Sequence, residues 1–477
     1  MAAIPTDVFF ATVSELNARL VAREFSAEEL ARAFSARLER LGPQYNALAL
    51  PLAQPARRQA IAVGKDIKIG RLRGPLQGIP YGVEDLLSVA NQLTTWGAKP
   101  YADQRFGYDA RVVEKLNSTG AVLTGKLSMV ELAGGGGYRS TSASMFGPGL
   151  NPWDRARWSG GSSSGPAAAV AAGLVTFAIG METSGSIITP ASYCGVTALR
   201  PTYGLVSRYG AMPLSWTLDK LGPFARTAED CGHILHAISG ADGKDAGSAG
   251  KSFYYTPQYA HPLKDLKVGF APTDFAGRAD PAARPAFQAA LAALRETGVQ
   301  LVETKLPRFP YGPVLAAILR AEEASVFEPL IASAKLYDLA DPAQIAGLRA
   351  ALEIPARDYL KATRIRRQIQ QAFAKLFAEV NLLVTYGRSG PAPMVDQPVG
   401  RIADAASAEG ADPGFAGIIQ AGNLAGLPAL VLPCGFAGNL PVALQLVAAP
   451  FAENALLAAG KEFQARTEWH KRRPAGM

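Results

Sequence analysis

The chain has 477 residues, of which 48% are hydrophobic and 18% are charged, and its formal net charge is +8. This length exceeds that at which a single core usually divides. No Ser/Gly-rich or Pro-rich linker interrupts the chain, however, so we predict one domain over residues 1–477. The positive charges are scattered and no aromatic residues alternate with them, which argues against a nucleic-acid partner.

Residue types that are scarce exclude further classes of protein. The three cysteines, Cys194, Cys231 and Cys434, lie far apart, which indicates a reducing compartment and no disulfide framework. No metal-ligand spacing is present, so we predict no metal and no cofactor. The N-terminus lacks a secretory pattern, and the longest apolar stretch, 167–179, is too short to span a bilayer. We expect a cytoplasmic protein that does not bind a membrane.

Residues 1–73 predict a helical scaffold. Ser26 and Glu29 form a capping box at the start of a helix. Leu30, Phe34 and Leu38 then continue an apolar face at helical spacing. We assign no chemistry to this segment.

From about residue 74, short apolar runs alternate with helical patterns such as 109–119. This alternation is typical of an α/β protein with a largely buried sheet. Between about 280 and 377 the pattern is mostly helical and Ala-rich, and we predict a more variable lobe there. The runs expected to form strands are 78–81, 121–124, 175–179, 267–270, 381–385, 429–432 and 442–446.

Two segments of small residues carry the candidate chemistry. The first reads Ser-Gly-Gly-Ser-Ser-Ser-Gly-Pro over 159–166, and the second reads Gly-Met-Glu-Thr-Ser-Gly-Ser-Ile over 180–187. Such segments are usually loops or helix starts. A serine nucleophile, however, needs backbone N–H groups aimed at the developing oxyanion, and a turn of small residues can supply them. No histidine lies near either segment, and no G-x-S-x-G elbow is present, so a Ser-His-Asp triad has no support.

These segments resemble the amidase signature family, whose motifs run Gly-Gly-Ser-Ser-Gly-Gly-Ser and Asp-Thr-Gly-Gly-Ser-Ile-Arg. That family uses a Ser–cis-Ser–Lys triad. The resemblance implies that Ser186 is the nucleophile and that Ser162, after a cis Gly161–Ser162 peptide bond, is the bridging serine. It also implies an oxyanion hole at Thr183, Ser184 and Gly185.

The resemblance extends along most of the chain. It implies the amidase-signature fold, a central mixed twisted sheet with helices on both faces. The further segments that are similar to the family are 78–83, 125–129, 151–153, 194–196, 200–204, 215–223, 423–428, 440–445 and 469–470.

The most informative departure from the family is Glu84. The family's catalytic lysine lies in Gly-Ile-Pro-x-x-x-Lys-Asp, and Glu84 stands at the lysine position of this block. A glutamate side chain is shorter, its ordinary pKa is about 4.3, and its charge would oppose an oxyanion. Burial could raise that pKa by several units. Lys126 is no obvious substitute, because the family has a lysine there alongside the catalytic one.

Three explanations for Glu84 stay open: a homologue of low or altered activity, a substitution introduced to trap a substrate, and a working glutamate variant. We favour impaired catalysis. In that case the Glu84 carboxyl should share a pocket with Ser162 and Ser186, within hydrogen-bond reach of Ser162 or a bridging water. The alternative is that Glu84 turns away to pair with a surface lysine.

Other departures bear on the substrate. Glu182 replaces Asp, Ser184 replaces Gly, Pro166 replaces a small residue, and Ile188 replaces an Arg found in many members. The loss of that arginine points to a neutral, apolar acyl group. The candidate pocket residues, which are equally good candidates for ordinary core, are Tyr81, Met129, Tyr138 and Trp216.

The resemblance implies an amidohydrolase that cleaves a small-molecule amide, anilide, hydrazide, carbamate or ester through an acyl-enzyme on Ser186. One alternative is an inactive homologue that binds a small molecule. The other is the A-type component of a tRNA-dependent amidotransferase, which we disfavour because it needs partner proteins and because the middle of the chain looks unlike it. A homodimer is the assembly that the family suggests.

Overall fold

A computed structural model describes residues 4–256, 262–399 and 413–477. Within them, eleven strands form one sheet in the order β1-β3-β2-β6-β8-β7-β12-β13-β11-β9-β10, and β4 and β5 form a separate pair. The strands are β1 Leu48–Pro51, β2 Pro80–Glu84, β3 Val122–Leu127, β4 Leu150–Asn151, β5 Asp154–Trp158, β6 Phe177–Glu182, β7 Thr197–Arg200, β8 Lys220–Ala225, β9 Lys267–Phe270, β10 Gln300–Glu303, β11 Leu382–Tyr386, β12 Ala429–Ala437 and β13 Leu440–Ala448.

Helices occupy most of the chain between the strands. They are α1 Val13–Val21, α2 Ala27–Leu41, α3 Ala53–Lys68, α4 Arg111–Thr119, α5 Ser164–Ala171, α6 Ile188–Cys194, α7 Ala228–Ile238, α8 Arg284–Glu296, α9 Tyr311–Val326, α10 Glu328–Ile331, α11 Pro342–Ala351, α12 Ala356–Glu379, α13 Ile418–Ala425 and α14 Glu453–Thr467. No described helix is both long and apolar enough to cross a membrane.

The sheet is mixed, as the resemblance implies. β2 runs parallel to β3 and β6, and β9 runs parallel to β10 and β11. The strands between these two groups pair in antiparallel fashion. Parallel neighbours need long crossover connections, which the helices supply.

Helices cover both faces of the sheet. Along β12, Leu430 and Leu432 belong to one apolar cluster and Val431 belongs to another, because successive strand residues point to opposite faces. The first cluster includes Phe463 of α14, and the second includes Phe373 of α12. The α/β class and the two-faced sheet are therefore confirmed.

Most predicted elements are present. All seven apolar runs overlap strands, and the capping box at Ser26 opens α2 with both of its reciprocal hydrogen bonds. The sequence patterns missed β8, because Gly222 and Pro223 both disfavour strand structure.

The variable lobe and the domain division remain predictions. Between 280 and 377 the chain is mostly helical, but β10 belongs to the same sheet as the rest of the chain. Residues 1–73 likewise contain β1, which extends one edge of the sheet beside β3. Both segments therefore contribute a strand besides their helices.

Candidate active site

The site lies where two parallel strands end. Glu84 is the last residue of β2 and Glu182 is the last residue of β6. Because β2 and β6 are parallel neighbours, their carboxyl ends meet at one edge of the sheet, where α/β proteins commonly bind ligands. The two small-residue segments come together there: the Ser163 N–H donates to the carbonyl oxygen of Ser186 at 3.4 Å.

The Gly161–Ser162 peptide bond is cis, as predicted. Ser162 is buried, and its Oγ has no hydrogen-bond partner among the described residues. Its role as the bridging serine stays a prediction.

The turn that carries Ser186 is held by the carboxylate of Glu182. One oxygen of Glu182 accepts the N–H groups of Ile187 at 2.9 Å and Ile188 at 3.0 Å. The other accepts Arg200 Nη1 at 2.7 Å and Asn423 Nδ2 at 2.8 Å. Burial alone would raise the pKa of Glu182, but the Arg200 guanidinium and these hydrogen bonds lower it to about 2. Glu182 therefore stays ionised and fixes the start of α6.

The turn 183–186 leaves its backbone donors available. None of these four amides donates a hydrogen bond to another group within the described part of the chain. Gly185 has φ +89°, a left-handed conformation that favours glycine. Thr183 Oγ1 donates to Asp219 Oδ1 at 2.5 Å, which ties the turn to the residue just before β8. The predicted oxyanion hole at Thr183, Ser184 and Gly185 thus has free N–H groups, and its role remains a prediction.

Asp219 is a buried carboxyl that links this turn to the preceding loop. Its second oxygen accepts the N–H groups of Leu214 and Ser215, both at 2.9 Å. Burial raises the pKa of Asp219 to about 6, although these hydrogen bonds oppose the shift. The loop 214–219 and the turn are therefore joined by one side chain.

Glu84 is fully buried, but it does not bond to Ser162. Its Oε2 accepts Ser163 Oγ at 2.7 Å and the Met181 N–H at 2.8 Å. A side chain at Gly180 would come within 2.8 Å of Ser163 Oγ and 3.0 Å of Glu84 Oε2, so this glycine permits their approach. The expected hydrogen bond from Glu84 to Ser162 is replaced by one to the neighbouring serine, and the carboxyl has not turned to a surface lysine.

Burial raises the pKa of Glu84 to about 8, against the opposing hydrogen bonds from Ser163 and Met181. Its Oε1 has no hydrogen-bond partner in the described residues. A buried carboxyl with one unpartnered oxygen favours the protonated form, because ionisation would leave the charge poorly solvated.

The nearby lysines do not replace the missing base. Lys126 Nζ pairs with Asp85 Oδ1 at 2.8 Å and donates to Thr94 Oγ1 at 2.6 Å. Lys220 is also buried, which lowers its pKa well below the ordinary value, and its Nζ donates to the carbonyl of Leu218. Neither lysine lines the cavity beside Ser186.

A cavity of about 990 Å³ opens beside the nucleophile turn. Its lining includes Thr183, Ser184, Ser186, Gly161 and Tyr138, but not Ser162 or Glu84. The expectation that Glu84 and Ser162 share this pocket with Ser186 is therefore wrong: Ser162 is only 1% exposed and Glu84 is 0% exposed.

Of the four candidate pocket residues, only Tyr138 lines this cavity. Tyr81 stacks on Phe177 in the core, with ring centroids 5.1 Å apart, and Met129 is buried in the same apolar cluster. Trp216 is 42% exposed. Apolar side chains on buried strands and in interior loops pack against the core before they reach a pocket, which explains the misplacement of Tyr81 and Met129.

Several site residues were not assigned a role from the sequence. Ser163 had a signal, since it adjoins Ser162 in the motif, and Asp219 stands in a segment that resembles the family. Arg388 and Glu323, which also line the cavity, had none, because they lie more than 130 positions from the nucleophile.

Comparison with known proteins identifies the family. The family described as Amidase matches residues 29–457. The A-type component of the glutamyl-tRNA(Gln) amidotransferase of Carboxydothermus hydrogenoformans is 35% identical over 98% of this chain and 99% of its own length. The peptide amidase from Stenotrophomonas maltophilia is 29% identical, with a TM-score of 0.82 over 97% of this chain and 98% of that one.

A bacterial aryl acylamidase of the amidase signature (AS) enzymes has the same fold. Its TM-score is 0.86, at 21% identity, over 99% of this chain and 100% of that one. At that identity the likeness concerns the fold alone, whereas the family match spans most of the chain. The chain therefore belongs to the amidase family, the amidase-signature enzymes.

Proposed function

We propose that the chain cleaves the C–N bond of a carboxamide through an acyl-enzyme on Ser186, and that Glu84 limits the rate at neutral pH. The observation that carries the proposal is the turn 183–186, whose unbonded amides and terminal serine border one cavity. Membership of the amidase family supports a reaction at a C–N bond. Anilides, hydrazides, carbamates and esters offer the same carbonyl carbon to the nucleophile.

In the proposed reaction, Ser186 Oγ attacks the substrate carbonyl, and the N–H groups of the turn stabilise the oxyanion. The serine proton passes to Ser162 and returns to the nitrogen of the leaving amine. Water then attacks the acyl-enzyme, and the acid is released as Ser186 regains its proton. Each proton transfer needs an acceptor behind Ser162.

Glu84 is the candidate acceptor, and it acts only when it is ionised. With a pKa of about 8, roughly a tenth of the molecules carry the carboxylate at pH 7. Its hydrogen bond goes to Ser163, so a proton from Ser162 would reach Glu84 through the Ser163 hydroxyl. Both the small ionised fraction and the longer route predict slow turnover.

The test is turnover of a chromogenic anilide by the chain as it stands and by Glu84→Lys. A burst of chromophore equal to the enzyme concentration, lost in Ser186→Ala, is expected from an acyl-enzyme on Ser186. No turnover in either protein, with retained binding of the anilide, would instead indicate an inactive small-molecule binding protein.

The relatives favour a second candidate function, that of the A-type component of an amidotransferase. Their similarity covers 98% of the chain, including its middle region, where we expected dissimilarity. Such a component would release nitrogen from an amide donor and would work with partner proteins. Ammonia release from glutamine that requires the partner proteins of a related bacterial complex would favour this function, and release from simple amides by the chain alone would favour the first.

A further inference from the structure

The cavity beside Ser186 carries a cation that the motifs do not supply. Arg388 lies two residues after the end of β11 and lines the cavity together with Ser186. The preceding Gly387 packs on α6, where an added Cβ would come within 2.1 Å of Ser192 Oγ. Because α6 begins just after the nucleophile, this close packing holds Arg388 near the site.

Arg388 is set among aromatic side chains. It contacts the hydroxyl of Tyr193, which raises the pKa of the guanidinium, and Tyr138 and Trp158 line the same cavity. Within residues 4–256, 262–399 and 413–477, no carboxylate forms an ion pair with Arg388. A partly buried cation without an anionic partner is costly, and an anionic ligand would offset that cost.

The cavity as a whole is positive. Its charged lining residues are three arginines, Arg139, Arg320 and Arg388, and one carboxyl, Glu323. Glu323 Oε2 accepts the Gly136 N–H at 3.0 Å. Burial raises the pKa of Glu323 to about 7, so this carboxyl supplies only part of a negative charge at neutral pH. The neutral, apolar acyl group expected from Ile188 does not match this lining.

We propose that Arg388 binds the carboxylate of an anionic carboxamide, a monoamide of a short dicarboxylic acid, and so selects the substrate that Ser186 attacks. The planar guanidinium matches a carboxylate through two parallel hydrogen bonds. The aromatic surroundings keep water away and strengthen that contact. The inference rests on the proposed function, since it names the substrate class of the same site.

Binding to Ser186→Ala protein tests the inference without turnover. Isothermal titration is run with succinamate and with its neutral analogue butyramide, in protein that also carries Arg388→Gln or Arg320→Gln. We expect succinamate to bind at least about tenfold more tightly than butyramide, a preference that Arg388→Gln removes. Arg320→Gln makes the same change of charge in the same cavity, and it should leave most of the preference.

Equal affinity for succinamate and butyramide in the Ser186→Ala protein would overturn the inference, as would an unchanged preference after Arg388→Gln. Should Arg388→Gln fail to fold, the comparison of the two ligands in the Ser186→Ala protein still decides. Loss of succinamate preference in both arginine variants would assign selectivity to overall charge and contradict the specific role of Arg388. Since no arm needs catalysis, anilide turnover reports separately on the proposed function.

Discussion

The two sides of the site differ in how they compare with the family. On the nucleophile side, Glu182 holds the turn of Ser186 through two backbone N–H groups and an ion pair with Arg200. On the base side, a buried carboxyl with a pKa of about 8 stands where the family has a lysine. One half of the machinery is therefore preorganised, while the other is mostly protonated at neutral pH. The comparison teaches that the oxyanion geometry does not depend on the identity of the base.

The largest effect expected on the nucleophile side comes from Ser186→Ala. Loss of the nucleophile should lower kcat by about 10³- to 10⁶-fold, because the acyl-enzyme cannot form. Anilide turnover measures this loss, and Ser118→Ala, on the exposed face of α4, is the control. Residual activity within tenfold of the starting protein would place the nucleophile elsewhere.

The next effect concerns the support of the turn. Glu182→Gln should lower the free energy of unfolding by about 3–5 kcal/mol, because it leaves the buried Arg200 without its counter-charge. Denaturant unfolding at pH 7 measures the change. The exposed ion pair of Glu462 with Arg466 provides the control, since Glu462→Gln should cost less than about 1 kcal/mol. Equal losses in the two variants would show that Glu182 is not a special support.

The smallest effect distinguishes the protonation state of Glu84. Its folded pKa of about 8 lies above the ordinary 4.5, so the native state binds the proton more tightly than the unfolded chain does. The resulting stability is present below pH 4.5 and falls as pH rises from 4.5 to about 8. Glu84→Gln mimics the protonated acid, and it should raise Tm above that of the starting protein at pH 8.5 but not at pH 4.5. A constant Tm difference across this range would contradict the raised pKa.

The fold was more predictable than the contacts of the site. Apolar runs such as 267–270 mark buried strands because the sheet is covered on both faces, whereas β8 was hidden by Gly222 and Pro223. The motifs located Ser186 and the cis bond before Ser162. They could not decide which of two adjacent hydroxyls meets Glu84, since that depends on how the loop passes over Gly180. Arg388 was invisible for a similar reason, as it reaches the cavity from a strand far along the chain.

The account's central claim is that Glu84 occupies the position of the base and restrains catalysis at neutral pH. The most direct measurement is anilide turnover from pH 6 to 9.5 for the chain as it stands, for Glu84→Ala and for Glu84→Lys. We predict that the starting protein gains activity with an apparent pKa near 8, that Glu84→Ala loses this rise, and that Glu84→Lys is the most active of the three at pH 7. Full turnover at pH 7 that is unchanged by Glu84→Ala would contradict the claim and show that the base lies elsewhere.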